Sequence, residues 1–430
     1  MRSLAWFSVF AAAVIAPLGL AIAARGAQWS SPTVAFGAAC GWLAFALLAA
    51  EFGLVTRVRA AAAAFGSDAL LLFHRAMAFV ALALIAAHVV ALAPRWPNPF
   101  AGSGVERWGS LALCALLALI AVSLWRRQLR CAYELWLVSH RALAATIVLA
   151  SLAHVWPPLA RTPHLRSWVA GGCVGLALAA LAWQRLVRPA LLARRLWEVV
   201  ENRDEGASTR TLVLRAIGHG GLRFAPGQFV WLRTRRSGAF AQEHPISIAS
   251  SAELDGGRTL ELAIKALGDW SRELVPQIPA GERVRIDGPF GAFTPDGLPA
   301  ERLVLIAGGI GITPMRSILL TMRDRGDRRP VTLLYAADRR ARAAFADELE
   351  SLRGALALEL VFVFEHPDPG EACEVGLLSA ELLRRHLPHD LRFTQFFVCG
   401  PTPMMDAVER FAVQLGIPSR QLHTERFDMV

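Results

Sequence analysis

Six apolar runs occupy the chain before about residue 188: 4–24, 33–56, 68–93, 108–125, 134–156 and 168–187. Each is close to the ~20 residues an α-helix needs to cross a bilayer. In lipid, backbone N–H and C=O groups must pair internally, which leaves helices or a closed barrel as the ways to span it. Runs of this length therefore predict six membrane-spanning helices. The first has Arg2 ahead of it and small residues at Ala21–Ala23, as a signal peptide would, but its apolar stretch is long for one. It is read as an uncleaved helix.

Arginine sets the expected orientation. Arg57 and Arg59, then Arg126, Arg127 and Arg130, then Arg185, Arg188, Arg194 and Arg195 follow the second, fourth and sixth runs. The positive-inside rule makes that side cytoplasmic, with both termini on it. The opposite loops hold Trp29, Trp96, Trp108, Trp156 and Trp168, an aromatic belt, along with Arg95, Arg107, Arg161, Arg166 and His164. A net charge of +10 is thereby accounted for by loops at a membrane surface, and no nucleic-acid partner is expected. Cys40, Cys114, Cys131, Cys173, Cys373 and Cys399 form no paired spacing, so neither a disulfide framework nor a zinc site is implied.

Two of the runs carry histidine pairs, His74 with His88 and His140 with His154, fourteen residues apart in both. Fourteen residues rise about 21 Å and return to within ~40° of the starting direction, so each pair shares one helix face. Both helices run outward, which puts His74 and His140 toward the cytoplasm and His88 and His154 toward the outside. Ionisable residues at membrane depth default to function, although a membrane histidine can also serve as a helix–helix hydrogen bonder. Two facing imidazoles at each level suit the axial positions of a haem iron. The reading is two stacked b-type haems, held by His74 with His140 and by His88 with His154. Arg75 and Arg141 follow the inner histidines and either pair with haem propionates or snorkel to the surface.

From about residue 196 the pattern changes to short β-type runs: 197–203, 209–215, 228–234, 245–249, 259–265 and 283–287. Gly/Pro-rich turns between them predict a small antiparallel barrel over 194–298. His244-Pro245-Ile246-Ser247 lies in it. Gly268-Asp269-Trp270-Ser271 follows the run ending in Lys265 and opens a short helix, whose free N–H groups would suit a phosphate. Over 299–430 strands and helices alternate, with strands at 303–307, 331–336, 358–364 and 396–399, as in a parallel, doubly wound sheet. The first of these runs into Gly308-Gly309-Ile310-Gly311-Ile312-Thr313-Pro314, and the fourth into Gly400-Pro401. Glycines at a strand–helix junction let a backbone approach a pyrophosphate. Cys399 is either a small core residue or part of a nicotinamide pocket.

These motifs, together with Asp287-Gly288-Pro289-Phe290-Gly291 and in this order after six spans with paired histidines, carry a family resemblance. The chain resembles the ferric reductase and NADPH oxidase (NOX) superfamily, closest in layout to compact prokaryotic NADPH-oxidase-like proteins. Its barrel and last domain resemble the ferredoxin–NADP reductase superfamily. The resemblance implies FAD, two b haems and NAD(P)H. It places His244, Pro245, Ile246 and Ser247 along the flavin, and Lys265, Gly268, Asp269 and Ser271 around its phosphates. Gly308, Gly309, Gly311, Thr313, Pro314, Cys399, Gly400 and Pro401 would border the nicotinamide nucleotide, and Phe427 would lie against the flavin. Ile246 stands where the family often has an aromatic. Asp338, followed by Arg339 and Arg340, stands where NADPH-using members often have arginine, which leaves NADH or NADPH open.

The expected fold is thus a six-helix transmembrane bundle over 1–190, followed by an antiparallel β-barrel and an α/β doubly wound domain. The expected chemistry follows from the order of parts. NAD(P)H gives two electrons at once and haem iron takes one at a time, so flavin must lie between them. No catalytic base is required. The expected acceptor is dioxygen outside the membrane. A ferric chelate, or a periplasmic redox protein served by an electron-delivery subunit, are the alternatives. A histidine-lined transporter with a nucleotide-binding regulatory domain would give the two barrel motifs no purpose.

Overall fold

In the apolar runs, Leu, Ala, Val and Ile surround each helix on all sides, the pattern of a helix whose environment is lipid or other helices. The computed structural model describes residues 2–25, 31–54, 67–94, 104–126, 128–129, 131, 133–160, 172, 175, 179, 182–234, 243–388 and 390–426. The chain divides near residue 190 into a helical unit and a unit built on two sheets.

The helical unit contains α1 (Arg2–Arg25), α2 (Pro32–Leu54), α3 (Ser67–Leu92), α4 (Gly104–Trp125) and α5 (Tyr133–Ala160). Among the described residues these five helices, rather than six, are long and apolar enough to cross a membrane. The sixth expected run, 168–187, falls largely outside the described residues. Leu47 and Leu48 of α2, Ala81 of α3, Ala115 and Leu116 of α4 and Ile147 of α5 form the bundle core. Ala81 is seven residues from both His74 and His88, and Ile147 is seven from both His140 and His154. Seven residues are nearly two full turns, so this apolar layer lies on the histidine faces and separates the two histidine levels.

After α6 (Arg188–Ala193), the second unit opens with six strands: β1 (Leu196–Asp204), β2 (Thr209–Ile217), β3 (Phe229–Arg233), β4 (His244–Ser247), β5 (Thr259–Lys265) and β6 (Arg283–Phe290). They pair antiparallel in the order β4-β3-β6-β1-β2-β5. A bridge from Ile248 to Leu262 closes the ends into a barrel. Its core is the alternation read out in space: Trp197 and Val199, Leu212 and Leu214, Val230 and Leu232, Leu260 and Leu262, Val284 and Ile286 all point inward.

The remaining strands are β7 (Arg302–Gly308), β8 (Val331–Ala337), β9 (Leu358–Phe364), β10 (Glu374–Val375), β11 (Thr394–Cys399) and β12 (Leu422–Glu425). Between them run α7 (Ile312–Asp324), α8 (Ala346–Ser351), α9 (Ala380–His386) and α10 (Thr402–Gln414). The sheet is parallel, in the order β10-β9-β8-β7-β11-β12. The chain winds outward from β7 through β8 to β10, then returns to β11 on the other side. That reversal places a crevice beyond the carboxyl ends of β7 and β11.

Helix α7 is buried from Ile312 to Met322 because it packs on the barrel as well as on its own sheet. Ser317 donates to the Ser250 carbonyl at 2.7 Å, and Thr321 Oγ1 accepts from Ala252 N at 2.9 Å. Arg316 donates to the Ala249 carbonyl (2.9 Å) and to Glu261 of β5 (2.7 Å). It also forms a two-pronged pair with Glu348 of α8 at 2.6 and 2.9 Å. A buried guanidinium with every contact paired thus ties the nucleotide domain to the barrel.

Candidate functional site

In the helical unit the four histidines meet as two pairs. The ring centres of His74 and His140 are 6.3 Å apart, and those of His88 and His154 are 6.1 Å apart. A metal between two imidazole nitrogens at ~2 Å each sets the ring centres about 6 Å apart, so both pairs have the separation an axially ligated iron requires.

Their backing decides which nitrogen is free. His88 Nδ1 donates to the Gly37 carbonyl at 2.8 Å, and His154 Nδ1 donates to the Val105 carbonyl at 2.7 Å. With the proton held on Nδ1, the lone pair sits on Nε2, the tautomer that ligates metal. One turn beyond each carbonyl stands a glycine. A Cβ on Gly41 would lie 2.6 Å from His88 Nδ1, and one on Gly109 would lie 2.9 Å from His154 Nδ1. Both imidazoles therefore occupy space that another residue type would fill. At the other level, His74 Nδ1 meets the Glu51 carboxylate. His140 Nδ1 lies 3.4 Å from Ser123 Oγ, which also accepts from Trp136 Nε1 at 3.3 Å.

In α2 the two groups that back histidines, the Gly37 carbonyl and the Glu51 carboxylate, are fourteen residues apart, whereas in α4 the Val105 carbonyl and the Ser123 hydroxyl are eighteen apart. Sequence reasoning singled out the four histidines and missed this supporting set, which no interval common to α2 and α4 marks. Among the described residues no group of three or more His, Cys, Asp or Glu side chains could hold a bare ion. Each site offers two nitrogens, which fits an iron whose equatorial donors come with its macrocycle.

On the barrel, the segments His244–Ser247 and Gly268–Ser271 are brought together. His244 at the start of β4 stacks on Trp270, with ring centres 3.7 Å apart and planes 14° from parallel. Burial pushes the His244 imidazole down to about 4, so it is neutral at pH 7. Its Nε2 and the Trp270 Nε1 are buried and have no hydrogen-bond partner among the described residues. Two adjacent orphaned groups, one acceptor-capable and one donor, fit a polar ring system such as a flavin. Pro245 pairs with Trp231, Ile246 packs against the barrel core and Ser247 is buried. Gly268 and Asp269 are exposed, whereas Ser271 Oγ accepts from Leu267 N (3.0 Å) and Gly268 N (2.9 Å). That hydroxyl closes its own turn.

The crevice at the end of β7 is closely packed. A Cβ on Gly311 would run into the Cys399 carbonyl, and one on Gly308 would meet Met404 Sδ at 2.5 Å and Pro401 Cδ at 2.9 Å. Gly400 sits against Gly308 in the same way. Cys399 is buried in the sheet's apolar cluster, Thr313 donates to the Ile310 carbonyl at 2.9 Å, and Pro314 is buried in the first turn of α7. Lys265 is placed here too. Its Nζ lies 3.4 Å from where a Gly309 Cβ would be, because the end of β5 faces the loop after β7. Burial, and then Arg342, push its ammonium below the usual lysine range. Asp338, just beyond β8, accepts from His366 Nδ1 (2.7 Å) and Arg339 Nε (3.2 Å), and Arg340 is bound to Asp347 and Glu350. The hydrogen bond from His366 leads in holding the Asp338 carboxyl below its usual range. Phe427 lies outside the described residues.

Three segments match known families: 40–151 the ferric reductase like transmembrane component, 211–294 an FAD-binding domain, and 305–410 an oxidoreductase NAD-binding domain. The chain is similar to a Flavohemoprotein of Pseudomonas aeruginosa, 30% identical over 239 residues, 54% of this chain and 58% of that one. It is also similar to the ferredoxin reductase component of 3-ketosteroid-9-alpha-monooxygenase from Mycobacterium tuberculosis. The identity there is 33% over 249 residues, 55% of this chain and 65% of that one. The chain thus spans less than two thirds of these relatives. The crystal structure of a flavohemoglobin from Malassezia yamatoensis, with bound FAD and heme, aligns with a TM-score of 0.51 and 19% identity. It covers 82% of this chain and 97% of that one, a likeness of fold.

Proposed function

We propose, from the ferric reductase and NADPH oxidase architecture that these three segments give the chain, that it carries electrons from NAD(P)H across a membrane to an acceptor on the far side. It is an integral membrane oxidoreductase with FAD- and NAD-binding domains. The observation that carries the finer reading is the pair of histidine levels, with ring centres 6.3 and 6.1 Å apart. Bound flavin supplies the change from a two-electron donor to one-electron carriers, and b-type haems supply two such carriers in series.

The chain's own residues bind and orient. The loop Gly308–Gly311, with Gly400 and Pro401, receives the nucleotide at the reversal of the sheet. Lys265 meets the pyrophosphate there. His244 and Trp270 offer the flavin an apolar stack with two ring nitrogens at its edge. His74 with His140, and His88 with His154, hold iron through Nε2. With both termini in the cytoplasm of a bacterium, the His74 level lies toward the cytoplasmic side of the membrane and the His88 level toward the outer side.

Dioxygen is the acceptor in this reading, and superoxide the product. Superoxide formation by the purified protein with NADH or NADPH, suppressed by superoxide dismutase, tests it. Ferric citrate reduction that persists with dismutase present would instead make it a ferric-chelate reductase. NAD(P)H oxidation only when a periplasmic extract is added would make it an electron-delivery subunit.

A further inference from the structure

The two histidine levels are built on different supports. His88 and His154 lean on neutral peptide carbonyls. His74 leans on a carboxylate, because the α2 residue fourteen after Gly37 is Glu51. Glu51 is 7% exposed and, among the described residues of the five helices, is the one buried carboxylate. An acidic side chain at membrane depth is costly and defaults to function. A carboxylate draws the Nδ1 proton harder than a peptide carbonyl does, and so makes Nε2 the stronger donor to a ferric ion.

We propose that Glu51 is a positioning residue. It holds His74 with Nε2 free, and makes the iron held by His74 and His140 harder to reduce than the iron held by His88 and His154. This rests on the haem reading above. One electron arriving at the His74 level would then pass downhill to the His88 level, with no bond made or broken and no proton consumed. The direction of flow would be built into the second residue behind each ligand rather than into the ligands, which are histidine throughout.

Redox potentiometry of the purified full-length protein, followed in the haem absorbance bands, tests this. Wild type should show two midpoints. His154→Ala should remove the His88 level and leave one haem that titrates at the lower of the two. Glu51→Gln should keep both haems and raise the lower midpoint. The equilibrium between the levels should shift about tenfold, which is ~59 mV for one electron. Two unchanged midpoints in Glu51→Gln would overturn the proposal while leaving the haem reading intact. If Glu51→Gln loads poorly, the His154→Ala measurement decides: a remaining haem at the higher midpoint overturns the proposal. A wild-type protein without haem, supplied with haem during expression, would remove both.

Discussion

A single methyl group at position 41 should displace one haem. The Cβ of Gly41→Ala would lie 2.6 Å from Nδ1 and 2.9 Å from Cε1 of His88. Non-bonded heavy atoms rest near ~3.5 Å, so the ring has to retreat by nearly ~1 Å. It cannot do so freely, because Nδ1 is bonded to the Gly37 carbonyl at 2.8 Å and Ala81 of the same helix is fully buried. Loss of that hydrogen bond costs roughly 1 kcal/mol. Overfilling a packed helix contact adds about 1–3 kcal/mol. The sum, about 2–4 kcal/mol set against the haem at that level, is roughly 30- to 800-fold in affinity. The helix itself gains up to ~1 kcal/mol from alanine, so the bundle should survive. A haemochrome assay on purified protein should fall from two haems per chain to near one, with the spectrum of the remaining haem unchanged. Gly53→Ala, in the same helix but with no heavy atom within 4 Å of the added carbon, should keep both. A Gly41→Ala protein that still holds two haems would refute the role given to His88 and its backing.

Two further outcomes test the cytoplasmic unit. Lys265→Met removes a cation facing the Gly309 loop, so the KM for NAD(P)H should rise about tenfold, as loss of a charge-assisted contact does, with the FAD-to-protein ratio unchanged; loss of FAD at constant KM would return Lys265 to the flavin phosphates. Arg316→Met strands Glu348, leaves Glu261 only Arg203 at 3.5 Å, and leaves the Ala249 carbonyl unmet. Breaking a buried pair costs about 3–5 kcal/mol, and the low end applies here because Glu348 is 34% exposed. The thermal midpoint of the full-length protein should drop by several degrees, and an unchanged midpoint would show that the barrel–domain clamp carries no stability.

What the sequence determined by itself was whatever depends on local periodicity. Apolar runs specified helices, alternation specified the barrel strands, and a fourteen-residue interval put two histidines on one face, because helix pitch and strand pleat are properties of a few consecutive residues. Two strands escaped: β10 is two residues long, and β12, Leu422-His423-Thr424-Glu425, has too few apolar positions to stand out. The tertiary structure alone decided what stands behind each ligand. Gly41 and Gly109 look like any glycine in an apolar run, and Glu51 like an acid at a helix end, until α2 and α4 pack against α3 and α5. Likewise the chain order shows Lys265 beside the Gly268 motif, but only closing the barrel, which carries the end of β5 to the loop after β7, shows that its ammonium also lies near Gly309. A contact between residues far apart in sequence leaves no periodic trace in either segment, so only the packing of the elements reveals it.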